Sequence, residues 1–349
     1  MSRLPRADLE HVVDHTRHVW SDFRDARVLL TGATGFVGSW LLESLLFAND
    51  ELGLNVKVTA LVRDREAFAA RLPHLADSLA VRVHVGDVRV ADPPAHAFTH
   101  FVHCASAAPP RMNVERPDEV VDVIVRGTER MVEEAESGRG ARFLQVSSGS
   151  VYGPQEPGLA LMDESHATAA DAREPAQRFG AAKRAAELRG ERSVKGGVGF
   201  VAARVFALVG PRLPLDGQFA IGSFLADARA GRDLQLTGDG TAVRSWLHAA
   251  DLSAWCWTVL ARGTPGHIYN VGSEEAMPML DAASRIARLA IPPLSVCVAG
   301  AADHAPAPSR YVPSTMRARE ELGLDTWIPF DDAILRTWEW LSSAGKIVP

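Results

Sequence analysis

A run of eighteen residues, VLLTGATGFVGSWLLESL (28–45), limits this chain more than any other part of it. A short apolar run ends at Thr31, glycines follow at Gly32, Gly35 and Gly38, and a helical pattern begins inside the glycines. The apolar run shows no polar alternation, so it reads as a strand covered on both faces. Glycine permits the tight turn and the close approach of backbone to a ligand. The helix that follows offers unpaired N–H groups and the positive end of its dipole. A strand, three glycines and a helix in that order predict a pyrophosphate cradle, and hence a dinucleotide site. Thr34, Phe36 and Val37 fall inside the same turn and count with the glycines as cofactor contacts.

The pattern then repeats. NVKVTALVRD, VRVHVGD, FTHFVHCAS and RFLQVSSGSVYG read as further strands, separated by the helical stretches SWLLESLLFANDEL, REAFAARLPHL and ERPDEVVDVIVRGTERMVEEAES. Alternating strand and helix predicts an α/β fold, a doubly wound parallel Rossmann sheet. After about residue 155 the pattern loosens. A helix covers about 178–193, GFVAARVFALVGP reads as a strand, and the rest is rich in Gly and Pro. This predicts a smaller C-terminal substrate-binding lobe on the carboxyl edge of the sheet, where open α/β sheets bind ligands. Apolar residues at helical spacing over 9–24 predict an amphipathic helix ahead of the fold. The expected division is a helical extension (1–25), a mainly dinucleotide-binding part (26–200) and a mainly nucleotide-sugar-binding part (201–349), the last two interleaved. VAGAADHAPAPSR (298–310) reads as a loop.

Composition removes several classes. A net charge of -6 and a pI near 6.1 argue against a nucleic-acid or membrane-surface partner. No stretch reaches the ~18–20 apolar residues of a membrane span, and MSRLPRADLE lacks the apolar core of a signal peptide. Cys104, Cys256 and Cys297 lie far apart with no CxxC pattern, as expected of thiols in a reducing cytoplasm. No metal site is expected.

The end of the second strand bears on the cofactor, NAD or NADP. An acidic side chain there suits the ribose hydroxyls, and a cation suits an added phosphate. Both types are present. Asp64 could reach the ribose, while Arg63 could hold a phosphate or lie over the adenine and tips the reading slightly toward NADP. Asp87 and Val88, after the third strand, fall where an adenine ring would lie.

Together TGATGFVG (31–38), GDV (86–88), HCAS (103–106), SSGSVYG (147–153), FGAAK (179–183), GDGTAVRSWLHAADL (238–252) and YNVGS (269–273) resemble the extended short-chain dehydrogenase/reductase family. The resemblance is to its epimerases, dehydratases and decarboxylases of nucleoside-diphosphate sugars, and it covers about residues 27–275. It implies that Cys104, Ala105, Ser106 and Ser147 lie against the cofactor. It implies that Ser148 bonds a sugar hydroxyl or the 4-keto oxygen, and that Lys183 holds the nicotinamide ribose. Phe179 stands where the family has the Tyr of Tyr-x-x-x-Lys, and a Phe has no proton to give or take. Three readings stay open: an engineered change that traps substrate, a natural residue with Ser148, Tyr152 or Lys183 as substitute base, or a protein that has lost redox chemistry. Gly149 and Ser150 replace the Asp-Glu pair of the 4,6-dehydratases, which disfavours dehydration.

On the substrate side, the resemblance places Ala207 where the family has a diphosphate-binding Asn. It makes Arg244 a diphosphate clamp, Phe219 a wall of the base pocket, and Arg310 and Arg317 added charge near the phosphates; His248 and Asp251 read as supports. The leading expectation is an NAD(P)-dependent nucleoside-diphosphate-sugar epimerase working through a transient 4-keto sugar. A UDP-glucuronate-type decarboxylase, a 4-keto-sugar reductase and a catalytically silent nucleotide-sugar-binding protein are the alternatives. The resemblance also implies a homodimer formed through the helices of 115–137 and 178–193.

Overall fold

The computed structural model describes residues 2–93, 98–106, 115–138, 140–166, 169–217, 219–300 and 309–344. Most of the 298–310 stretch and the end of HCASAAPP (103–110) lie outside the described residues. Seven parallel strands form the central sheet: β1 Arg27–Thr31, β2 Lys57–Val62, β3 Val81–Val85, β4 His100–His103, β5 Arg142–Ser148, β6 Gly199–Val205 and β7 Ile268–Val271. Their order is β3-β2-β1-β4-β5-β6-β7. The chain therefore reverses its winding between β1 and β4, and the carboxyl ends of those two strands flank a crevice.

Successive strand residues face opposite sides, and both sides are covered. Val28, Leu30, Val58, Ala60, Val102 and Leu144 join a core under α1 (Arg6–His15), α2 (Phe36–Leu52) and the helix Ala249–Arg262. Their neighbours Leu29, Leu61, Phe101 and Phe143 join a second core with Met131, Val132 and Ala135 of α3 (Pro117–Ser137). That two-sided burial is why the strands read as apolar runs. α3 packs along α4 (Arg178–Ser193) through Val120, Ile124, Ala182 and Ala186.

The N-terminal stretch differs from one continuous helix over 9–24. α1 stops at His15, and a single 3₁₀ turn covers Trp20–Phe23. The break lets Trp20 and Phe23 turn inward, with ring centroids 5.9 and 5.4 Å from Trp257. His11 also reaches the buried Asp251 at 2.7 Å. Part of the later chain is stitched from two- and three-residue strands. Val243–Arg244 pairs with both Met277–Pro278 and Arg310–Tyr311, and Leu234–Leu236 pairs with Val296–Val298. Among the described residues no helix is long and apolar enough to cross a membrane.

Candidate active site

The glycine turn is built by close contact. Gly32 leaves β1 with φ +74°, and a Cβ there would lie 2.8 Å from the backbone N of Ala105 and C of Cys104. A Cβ on Gly38 would lie 2.2 Å from the Gly32 carbonyl oxygen, so helix and strand meet this closely only without a side chain. The Thr31 hydroxyl accepts from the Ala105 N–H at 3.0 Å and is then free to donate to His103 Nδ1 at 2.8 Å. These bonds tie the exits of β1 and β4 together. The first N–H groups of α2 have no partner within the helix, and Phe36, Val37 and Gly38 line the cavity. Donors and dipole there suit a pyrophosphate.

That cavity measures about 1330 Å³ and runs over the carboxyl edge of the sheet. Gly32, Thr34 and Gly35 form its wall with α2, and Cys104, Ala105 and Ser106 line it after β4. Arg63, Asp87 and Val88 line the far end. Asp64 is not in the lining. Its carboxylate accepts from the N–H groups of Glu66 and Ala67 at 2.8 and 3.0 Å, capping the short helix Arg65–Arg71. Asp87 reaches the cavity, but its carboxylate is gripped by Arg89 at 3.0 and 2.6 Å, and that bond holds it below the usual carboxylate range. Arg89 continues to Asp122 of α3 at 2.7 Å.

At the opposite end Ser147, Ser148, Phe179 and Lys183 share one wall. The Ser147 hydroxyl donates to Glu187 at 2.6 Å. Ser148 Oγ accepts from the Ser150 N–H at 3.2 Å and lies 2.7 Å from Ser150 Oγ, opening the turn Gly149–Tyr152. Lys183 Nζ donates to the Val146 carbonyl at 2.9 Å and lies 5.7 Å from the centre of the Phe179 ring. Burial lowers the Lys183 ammonium to about 8, against opposing pulls from Cys104 and Glu187. The same burial pushes the Cys104 thiol up to about 12, so it stays protonated and inert at neutral pH. Tyr152 faces away from this wall: its hydroxyl donates to Asn270 at 2.8 Å, and burial raises it to about 12.

The Lys183 shift has a testable sign. The folded state gives up this proton near pH 8 and the unfolded state near 10.5. Between those values the unfolded chain holds more protons, so stability rises with pH. We expect the wild type to gain on the order of 3 kcal/mol relative to Lys183→Met between pH 8 and 10.5, read from paired urea titrations.

On the substrate side Ala207 and Phe219 line the cavity, and Phe219 is 41% exposed. Arg244 and Arg310 are not in the lining. Arg244 donates to the carbonyls of Val243 and Ser309 at 2.8 and 3.0 Å, and Arg310 to that of Ala160 at 2.7 Å. Arg317 donates to the Ile268 carbonyl at 2.8 Å. His248 is fully buried and accepts from Ala250 N–H as a helix cap; Asp251 accepts from Trp327 and Ile328 N–H.

Two features have no counterpart in the sequence reading. Arg71, Arg89, Arg212 and Arg229 also line the cavity, with Arg89 paired to Asp87 and Asp122 and Arg212 to Glu43. Glu187, with no exposed side-chain area, joins Ser147 to Arg204 of β6 at 3.0 and 2.7 Å. Its place one helical turn after Lys183 was the available signal.

The sequence profile of the NAD dependent epimerase/dehydratase family matches residues 28–272. The chain belongs to that family. A dTDP-glucose 4,6-dehydratase from Streptomyces niveus is 26% identical over 328 residues, 90% of this chain and 92% of that one. UDP-glucuronic acid decarboxylase 1 from Arabidopsis thaliana is 26% identical over 311 residues, 89% and 68% of the two chains. In three dimensions the chain is similar to UDP-glucuronic acid 4-epimerase from Bacillus cereus, solved with UDP-glucuronic acid and NAD. That match has a TM-score of 0.76, 18% identity, and covers 91% and 99% of the two chains. A dehydratase and a decarboxylase are thus similar to this chain in sequence, and an epimerase shares its fold.

Proposed function

We propose that this protein moves hydride between a nicotinamide dinucleotide and C4 of a nucleoside-diphosphate sugar, and that it acts as an epimerase through a transient 4-keto sugar. The observation that carries this reading is the meeting of the glycine turn, Ser148, Lys183 and position 179 in one cavity. The cradle fits a dinucleotide, because the side-chain-free contact of Gly38 with the Gly32 carbonyl holds the α2 N-terminus against the turn, where its N–H groups can meet a pyrophosphate. The bound cofactor supplies a hydride acceptor and donor. The chain's own residues do the rest. The α2 N-terminus holds the pyrophosphate, and Lys183 orients the nicotinamide end. Ser148 bonds the reacting sugar oxygen, and Phe219 closes over the nucleotide.

Dehydration is disfavoured, since neither Gly149 nor Ser150 is an acid of the strength needed to expel water. A second reading, a 4-keto-sugar reductase that consumes NADPH, is favoured by Arg63, an exposed cation at the adenosine end. We expect Arg63→Ala to weaken NADP(H) binding tenfold or more while leaving NAD(H) within about threefold, measured by calorimetry. The deciding assay incubates the wild type and Phe179→Tyr with NAD(P) and a panel of nucleoside-diphosphate sugars and their 4-keto forms. Formation of the C4 epimer, unchanged in mass, with no net change in cofactor supports the epimerase; stoichiometric loss of NADPH supports the reductase. Nucleotide binding without turnover in either protein sinks both. A self-associating form through the outer faces of α3 and α4 belongs to the same proposal, and light scattering at twice the chain mass would support it.

A further inference from the structure

The chain has three tyrosines, Tyr152, Tyr269 and Tyr311. Two are committed elsewhere: Tyr152 to Asn270, and Tyr269 to Glu321 at 2.7 Å. Tyr311 is different. The ribbon that pairs it with Arg244 carries it to the edge of the site, where its ring lies 4.6 Å from that of Phe206, a cavity residue. A Cβ on Gly149 would lie 2.6 Å from the Tyr311 hydroxyl. That hydroxyl thus fills the space in which a side chain at 149 would begin. The Ser148 side chain is near enough to pull the phenol's pKa down, and Ser148 lines the cavity, its hydroxyl 2.7 Å from that of Ser150.

We propose that Tyr311 is the proton source of this site, acting through Ser148 on the reacting sugar oxygen in place of the phenol that position 179 lacks. The proposal rests on the redox reading above. Burial pushes the phenol up and so does Tyr152, while Ser148 and the Arg244 charge pull it down; upward wins, and Tyr311 is a neutral acid at working pH. In the reductive half the ketone carbon accepts hydride from the reduced nicotinamide. The ketone oxygen takes the Ser148 proton, and Ser148 takes the Tyr311 proton. The sugar ends as an alcohol, the dinucleotide is oxidised, and the Tyr311 phenolate beside Arg244 regains a proton from water. In the oxidative half Tyr311 must first give its proton to water; the sugar hydroxyl proton then passes to Ser148, and the Ser148 proton to the Tyr311 phenolate, as the C4 hydride leaves for the oxidised dinucleotide. Tyr311 is therefore a positioning and proton-supplying residue behind Ser148.

The test compares wild type, Tyr311→Phe, and Tyr311→Phe with Phe179→Tyr, in single turnovers with nucleoside-diphosphate sugars and 4-keto sugars. Tyr311→Phe is expected to slow hydride transfer ~10²–10⁴-fold, with calorimetric affinity for the nucleoside diphosphate within about threefold. The added Phe179→Tyr is expected to restore at least tenfold. Two results overturn the proposal alone: a rate for Tyr311→Phe within threefold of an active wild type, or no recovery in the double variant. A wild type that transfers no hydride with any sugar overturns it together with the redox reading.

Discussion

Replacing Glu187 with alanine is expected to cost about 3–5 kcal/mol of folding stability, the usual penalty for leaving one member of a buried ion pair alone. Glu187 is fully buried and Arg204 is 4% exposed. The carboxylate accepts from Arg204 twice, from the Ser147 hydroxyl, and from Arg184 at 2.9 Å. Its loss strands the Arg204 guanidinium under the Tyr152 ring, 4.6 Å from the ring centre. It also frees Ser147 and loosens α4 one turn from Lys183, so dinucleotide affinity should fall with stability. Urea unfolding with an unchanged slope is the measurement. Glu187→Leu combined with Arg204→Met should lose less than Glu187→Ala, because no buried charge is left unpaired. A loss under 1 kcal/mol for Glu187→Ala would mean that water or another donor replaces the pair.

The second large effect is expected at Gly38. An alanine methyl would meet the Gly32 carbonyl oxygen at 2.2 Å and its carbon at 2.7 Å, and both are backbone. Helix and turn must separate, at about 1–3 kcal/mol of stability. The same separation moves the donors of the cradle, so dinucleotide affinity should fall by about 100-fold or more, near 2.7 kcal/mol. Gly35→Ala, whose methyl would lie 3.3 Å from the same oxygen, should show a milder version. Gly196→Ala, with open space around its Cβ, should stay within about 0.5 kcal/mol of wild type. Calorimetric titration with NAD and NADP on all three variants separates a cradle effect from general loss of fold. Equal affinities in Gly38→Ala and wild type would place the dinucleotide somewhere other than this turn.

What the sequence determined by itself is the local physics. Glycine spacing at 32, 35 and 38 reports backbone conformation and close approach, which depend on neighbours a few residues away. Apolar runs report strands covered on both faces, and α4 falls on Arg178–Ser193, within the span its pattern predicted. The family resemblance then located Ser148, Phe179 and Lys183, and these do share one wall. Asp64 lies outside the cavity lining and caps the helix after β2 through one carboxylate oxygen, a role for which a local signal existed, since an Asp ahead of Arg-Glu-Ala favours a helix cap.

Only the tertiary structure decided the rest. Arg244 and Arg310 turn to backbone carbonyls because two-residue strands from three distant segments meet there, and nothing in a short strand names its partner. Arg89 reaches Asp122, and Glu187 closes on Arg204, because the packing of helices on the sheet brings side chains from separate elements together. Tyr311 reaches Ser148 across 163 positions of sequence. Local rules specify how a residue holds its own backbone; which remote group fills the space beside it is settled by packing, once all the elements are in place.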